Sequence, residues 1–241
     1  MDDSTGTVVA AGLPRTVVVS AIPASVPDNV HSPLAPNLAH RLAVQAVATL
    51  NECAVDDVSL QSLCRHCGGA HGALSVRSPA NSGVTVSLSR APGFVVAVAS
   101  HLGPIGIDVE SVDRMLRAPV DAVALHPLEI TALEALDPSQ RDRARTLQWT
   151  RKEALLKATG FGLRIAPETI ALGGLGSAAT AVGEARGGDA RGTLRVDTIE
   201  LMEAPDLLWD DLDAGGFSPV FADLTGWPTG RHVGSVCVLQ R

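Results

Sequence analysis

From Asp137 to Gly160 the sequence is committed to one long helix, and no other segment restricts the fold as much. Asp137 is a favoured N-cap, Pro138 suits the first helical position, and Gly160 stands where such a helix stops. At 3.6 residues per turn, Leu147, Ala154, Leu155 and Ala158 share one face, which should meet the core. Trp149, Glu153, Leu156, Lys157 and Gly160 fall roughly opposite. A solvent face would not select Trp and Leu, and a core face would not select Glu and Lys. An exposed i, i+4 pair, worth about 0.2–0.5 kcal/mol, accounts for Glu153 and Lys157 alone. The whole row also fits the half-buried wall of a ligand site, with the Glu as metal ligand or base and the Lys against an anion.

Around this helix the chain reads as strands and shorter helices. Residues 16–22 form a first strand and 36–52 a helix. Strand candidates follow at 58–63, 73–77, 84–89 and 94–99, the last two flanking "APG" as a hairpin. The order begins again with a strand at 105–110 and a helix at 127–136. After the long helix come strands at 168–172, 192–202, 217–224 and 232–239, with a Gly-rich loop over 173–192. Each half reads strand, helix, several strands. The expected class is therefore α+β, with two α/β halves at 1–103 and 104–241 and a cleft between them. The halves are not similar in sequence, so any repeat is structural.

Composition removes several function classes. The net charge of −7 argues against a general nucleic-acid binder. With 3% aromatic residues and no Tyr, base-stacking platforms are not expected either. The apolar part of 41–50 is too short to span a bilayer, and the acidic, polar start lacks the basic, apolar character of a signal peptide. A soluble, cytoplasmic protein is expected. Four cysteines in 241 residues do not make a disulfide scaffold.

The strand "GPIGIDVE" supplies the second chemical feature. Alternation sends Ile107 and Val109 to one side and Gly106, Asp108 and Glu110 to the other. Carboxylates two residues apart on a strand lie about 7 Å apart and do not neutralise each other. The pair reads either as a solvated strand end or as a hard-cation site, since Mg²⁺ is often held by one or two carboxylates and substrate phosphates. Glu153 would make a third carboxylate, a set better suited to Mg²⁺ and a diphosphate than to Zn²⁺.

"GIDVE" followed about 40 residues later by "WTRKEALLKATGFGL" resembles the 4′-phosphopantetheinyl transferases of the surfactin-synthetase-activating (Sfp) type. Their pattern is GxDxE, then W-[ST]-x-K-E-A-x-x-K-x-x-G-x-G-L. More weakly, "VSLSRAPGFVVAVAS" matches the family's N-x-S-H-S and following strand, and "HRLAVQAVATL" its first long helix. The resemblance implies a pseudo-twofold chain with coenzyme A between the halves. It implies Mg²⁺ (or Mn²⁺) on Asp108, Glu110 and Glu153, and catalytic roles for Glu153 and Lys157, with Glu153 either a metal ligand or the general base. Lys157 and Lys152 would contact phosphate, and Trp149 would wall the cleft. The partner would be an apo acyl or peptidyl carrier protein from polyketide, nonribosomal-peptide or fatty-acid assembly. A monomer is the default expectation, since an internally duplicated chain has no need to dimerise. A non-catalytic binder of coenzyme A or carrier, and a metal-dependent diphosphate hydrolase, are the competing classes.

Departures from the pattern cluster in the first half. The histidine of N-x-S-H-S is Arg90, which keeps a positive donor with a fixed charge and longer reach. The family's G-K-P is Gly72, Ala73 and Leu74, without the Lys. Arg41 matches a basic residue on the first helix, with His31 the one candidate before it. Arg41 and Arg90 are the expected adenosine-side ligands. "CRHCGGAHG" offers Cys64, Cys67 and His71 for structural zinc, short of four ligands unless Cys53 or His66 joins; a Gly-rich turn with reduced cysteines is the competing reading. Arg141, Arg145 and Lys152 share a helical stripe, expected as a docking ridge for an acidic partner or as a solvated face.

Overall fold

The computed structural model describes residues 4–9, 16–22, 34–62, 67–70, 72–117, 121–175, 193–197, 201–225 and 232–241. His31, Cys64, His66, His71 and most of the Gly-rich loop lie outside the described residues. So does a zinc site built on Cys64 and His71; Cys67 is exposed, and its Sγ accepts the Gly69 N–H.

The first half contributes β1 (Ser4–Val9), β2 (Thr16–Ile22), α1 (Leu34–Leu50), β3 (Ser59–Ser62), β4 (Leu74–Ser78), β5 (Thr85–Ala91) and β6 (Phe94–Ser100). The strands form a six-stranded antiparallel sheet in the order β1-β2-β6-β5-β4-β3. The "APG" hairpin closes β5 on β6 with Ala91 opposite Phe94.

The second half begins with β7 (Ile105–Ser111), followed by α2 (Val112–Arg117), α3 (Asp121–Ala124), α4 (Pro127–Glu134) and α5 (Pro138–Thr159). Then come β8 (Ala171–Leu172), β9 (Thr193–Asp197), β10 (Leu201–Glu203), α6 (Asp206–Gly215), β11 (Ser218–Thr225) and β12 (His232–Gln240). β7, β12, β11 and β9 form a four-stranded sheet in that order, and β10 pairs with β8. The molecule is thus mixed α and β, built on antiparallel sheets.

The layers explain the apolar runs. One face of the first sheet receives α1, through Leu38, Leu42, Ala43, Ala46 and Val47 against Val86, Val95, Ala97 and Ala99. The other face meets the second sheet, with Phe94, Val96 and Val98 against Ile107, Val109, Ala222, Val236 and Val238. Every residue of β6 is therefore buried, and "FVVAVAS" has no polar side to display. β12 is covered in the same way, because Cys237 and Leu239 on its far face lie under α5 and α6.

α5 begins and ends as its caps require. Asp137 accepts the Ser139 N–H at 2.8 Å, and Gly160 is left-handed at φ 76°. Its faces differ from the sequence expectation. Gln148, Thr150, Arg151, Lys152, Ala154, Leu155, Leu156 and Ala158 are all buried. A helix covered on one side by a sheet and on the other by α3, α4 and β8 has no single apolar stripe. Trp149 packs against the cluster of Leu125 and Leu133 beside α4, and is not among the residues that line the cleft beside Lys157. The Arg141–Arg145–Lys152 ridge is not present either. Arg141 donates to the carbonyls of Glu134 and Leu136, Arg145 pairs with Asp121 and Asp142, and Lys152 is fully buried. Among the described residues, no helix is long and apolar enough to cross a membrane.

Candidate active site

Gly106 is what lets the two motifs meet. A Cβ at this position would run into the carbonyl oxygen of Ala154, so only glycine lets α5 lie directly on β7. Two residues on, Asp108 faces the helix. Lys157 donates to Asp108 Oδ1 at 2.7 Å and to the carbonyl of Ile107 at 2.9 Å. The acidic strand and the helix therefore converge in direct contact.

β5 completes the strand's surroundings through hydroxyls. The Ile107 N–H donates to Ser87 Oγ at 3.2 Å, and the Val109 N–H to Ser89 Oγ at 3.3 Å. Ser89 in turn donates to Asp108 Oδ1 at 2.8 Å. The edge of β7 that β12 leaves open is thus tied to the first half by side chains. Ser89 is a site residue that sequence reading missed; the signal was its place in "SLSR", between Leu88 and the expected ligand Arg90.

Three carboxylates are left incompletely satisfied. Asp108 Oδ2, Glu110 Oε2 and Glu153 Oε1 are buried with no hydrogen-bond partner. Burial, and then the charge of Asp108, push the Glu110 carboxyl up to about 7 against the pull of Arg114 and Lys157. Burial and Asp108 also raise Glu153, partly offset by Lys157. Buried oxygen acceptors lacking donors, in a cluster of like charge, are what a hard cation satisfies. Among the described residues, no three His, Cys, Asp or Glu side chains are drawn close enough to cage a metal unaided. Like charges do not close on one another unassisted, and Mg²⁺ commonly completes its shell with phosphate oxygens and water. Oxygen donors of this kind suit such an ion, and Asp108, Glu110 and Glu153 are the residues that could hold it.

Beside Lys157 opens a cleft of about 950 Å³ between β4, β5 and the C-terminal end of α5. Its walls include Leu74, Val86 and Leu88 from the first half and Ile105, Leu156 and Phe161 from the second. Arg90 lines it half-buried, with Nε lacking a partner, and burial lowers the guanidinium pKa. His40 and Arg164 also line it. Arg164 donates to the carbonyls of Gly160 and Phe161 and lies 5.6 Å over the Phe161 ring.

Two expected ligands are placed elsewhere. Arg41 is exposed on α1 outside the cleft wall, which its neighbour His40 reaches instead. Lys152 pairs with Glu129 in the interior, on the side of α5 away from Asp108; consecutive helical residues diverge by about 100° and cannot both face one site.

Residues 104–184 match the family model of the 4′-phosphopantetheinyl transferase superfamily. The matched segment carries β7, α5 and all three carboxylates, and supports phosphopantetheine transfer in general. No curated protein matches the chain.

Proposed function

We propose that the protein is a phosphopantetheinyl transferase of the surfactin-synthetase-activating type. It moves the 4′-phosphopantetheine of coenzyme A to a serine of an apo acyl or peptidyl carrier protein, releasing 3′,5′-ADP. The observation that supports this reading is the Lys157–Asp108 contact beside the cleft, together with buried unpartnered oxygens on Asp108, Glu110 and Glu153. A pseudo-twofold relation between the halves, with substrate at their interface, belongs to the same reading.

In phosphoryl transfer the protein supplies chiefly position and charge. Mg²⁺ or Mn²⁺ on Asp108, Glu110 and Glu153 would supply neutralisation of the diphosphate charge. Lys157 has three N–H donors, two engaged by Ile107 and Asp108, and its third is available to a phosphate oxygen. It thereby stabilises the departing 3′,5′-ADP. The carrier serine attacks the phosphorus nearest the pantetheine arm, the bond from that phosphorus to the bridging oxygen breaks, and the serine proton leaves to Glu153 or to a water it orients; Glu153 serves either as this base or as the third metal ligand, not both. Burial, and then the charge of Asp108, raise the Glu153 carboxyl above its ordinary value, which makes its carboxylate the stronger proton acceptor. Arg90 supplies positive charge on the first-half wall for the adenosine phosphate.

Intact-mass analysis of an apo carrier incubated with protein, coenzyme A and Mg²⁺ tests the proposal. The expected product is heavier by one phosphopantetheine. Coenzyme A bound without an adduct would identify a binding protein; coenzyme A cleaved without carrier would identify a hydrolase.

A further inference from the structure

Glu153 is preceded on α5 by two buried cations that the chemistry above does not use. Lys152 is 0% exposed and pairs with Glu129 at 2.5 Å, while donating to the carbonyls of Ala124 and Pro167 at 2.8 and 3.0 Å. Glu129 also accepts Gln148 Nε2 at 2.8 Å and the N–H groups of Leu172 and His126 at 2.9 Å. Arg151 pairs with Asp223, and its Nη1 donates to Gln148 Oε1 at 3.1 Å. Gln148 therefore joins the two pairs. Asp223 Oδ1 accepts Ser235 Oγ at 2.6 Å, and Ser235 lies 3.3 Å from Thr150 Oγ1. In register, Asp223 stands opposite Ser235, and Ser235 opposite Asp108. A polar row crosses the sheet under α5 and ends at the site's own carboxylate.

Buried ion pairs are poor stabilisers, since apolar residues of similar volume are often equally stable or better. The same sheet face carries Phe221, Cys237 and Leu239, so apolar contact was open to this helix. What paired charges add is direction. A helix that slips by one residue moves about 1.5 Å and turns about 100°, which would carry Glu153 and Lys157 away from Asp108.

We propose that Lys152–Glu129 and Arg151–Asp223 are positioning pairs that fix the rotation and axial register of α5, contributing little net stability. The kinetic part of this inference rests on the transferase reading; the structural part does not. Two variants test it: Lys152→Met with Glu129→Gln, and Arg151→Met with Asp223→Leu and Ser235→Ala. Each is expected to melt within about 5 °C of the parent, as removal of marginal contributors should. Crystal structures should show the Lys157–Asp108 contact broken. Transfer should fall about 10- to 100-fold in kcat with the KM for coenzyme A little changed, as misplacement of about 1 Å produces. Contacts and kcat both retained would overturn the proposal. So would loss of folding, or a melting point lower by more than about 10 °C, because the pairs would then hold the fold rather than aim the helix. A parent protein without transferase activity would count against the proposed function alone, with the crystallographic outcome still deciding the positioning claim.

Discussion

α1 and α5 each lie across an antiparallel sheet, yet their interfaces have opposite chemistry. α1 buries Leu38, Leu42, Ala43, Ala46 and Val47 against Val and Ala side chains. α5 buries Gln148, Thr150, Arg151 and Lys152 as well as Ala154, Leu155 and Leu156, and meets Asp108, Asp223 and Ser235 on its sheet. Apolar contact suffices where a helix has only to stay in place. Directional contacts appear on the helix that carries Glu153 and Lys157, as the positioning proposal requires. The first interface should therefore govern stability, and the second should govern activity.

The sharpest way to break this contrast is Asp108→Ala. Removing the carboxylate shared by Lys157 and Ser89 should lower kcat by about two to three orders of magnitude while the protein stays folded, as read by transfer rate and far-UV circular dichroism. Near-full turnover would remove Asp108 from the site. Leu42→Ala, on the apolar interface, should cost about 2–5 kcal/mol in denaturant unfolding, with kcat of the folded protein unchanged. An equal loss of kcat would dissolve the distinction between the helices. Arg90→Ala should raise the KM for coenzyme A about tenfold with little change in kcat, because it removes ground-state phosphate binding; an unchanged KM would show that the guanidinium serves the wall alone.

The smallest effect concerns pH. The folded Glu110 carboxyl titrates at about 7, above the 4.5 of a free side chain, so between those values the folded state holds more protons than the unfolded. Stability conferred by this group is complete at the acid end of the window and declines as pH rises toward 7. Glu110→Gln should remove that downward component from a plot of melting temperature against pH in metal-free buffer. Parallel plots for parent and variant would place Glu110 in solvent.

Legibility in the sequence followed the range of the interactions. α5 could be read because Asp137, Pro138 and Gly160 act locally, and the β5–β6 hairpin because "APG" separates two apolar runs. The meeting of Asp108 with Lys157 could be suspected from the motifs, but the contact depends on Gly106 admitting the helix, a steric fact of the folded state. Lys152 and Trp149 were misplaced because the reading assumed one buried face, whereas α5 is covered on both sides. Their partners, Glu129 and the α4 cluster, belong to another element. α6 escaped notice because Asp206, Asp210, Asp211 and Asp213 obscure the Leu208–Leu212 stripe that buries it. β1, which begins "STGT", resembles a polar tail until it pairs with β2.

The claim beneath all of this is that Asp108, Glu110 and Glu153 act together on one divalent ion. Mn²⁺ titration followed by electron paramagnetic resonance addresses it without a carrier protein. The account predicts one ion per chain, held more tightly once coenzyme A is added and lost in Asp108→Ala. An ion bound with equal affinity in parent and variant, or none in the presence of coenzyme A, would contradict it.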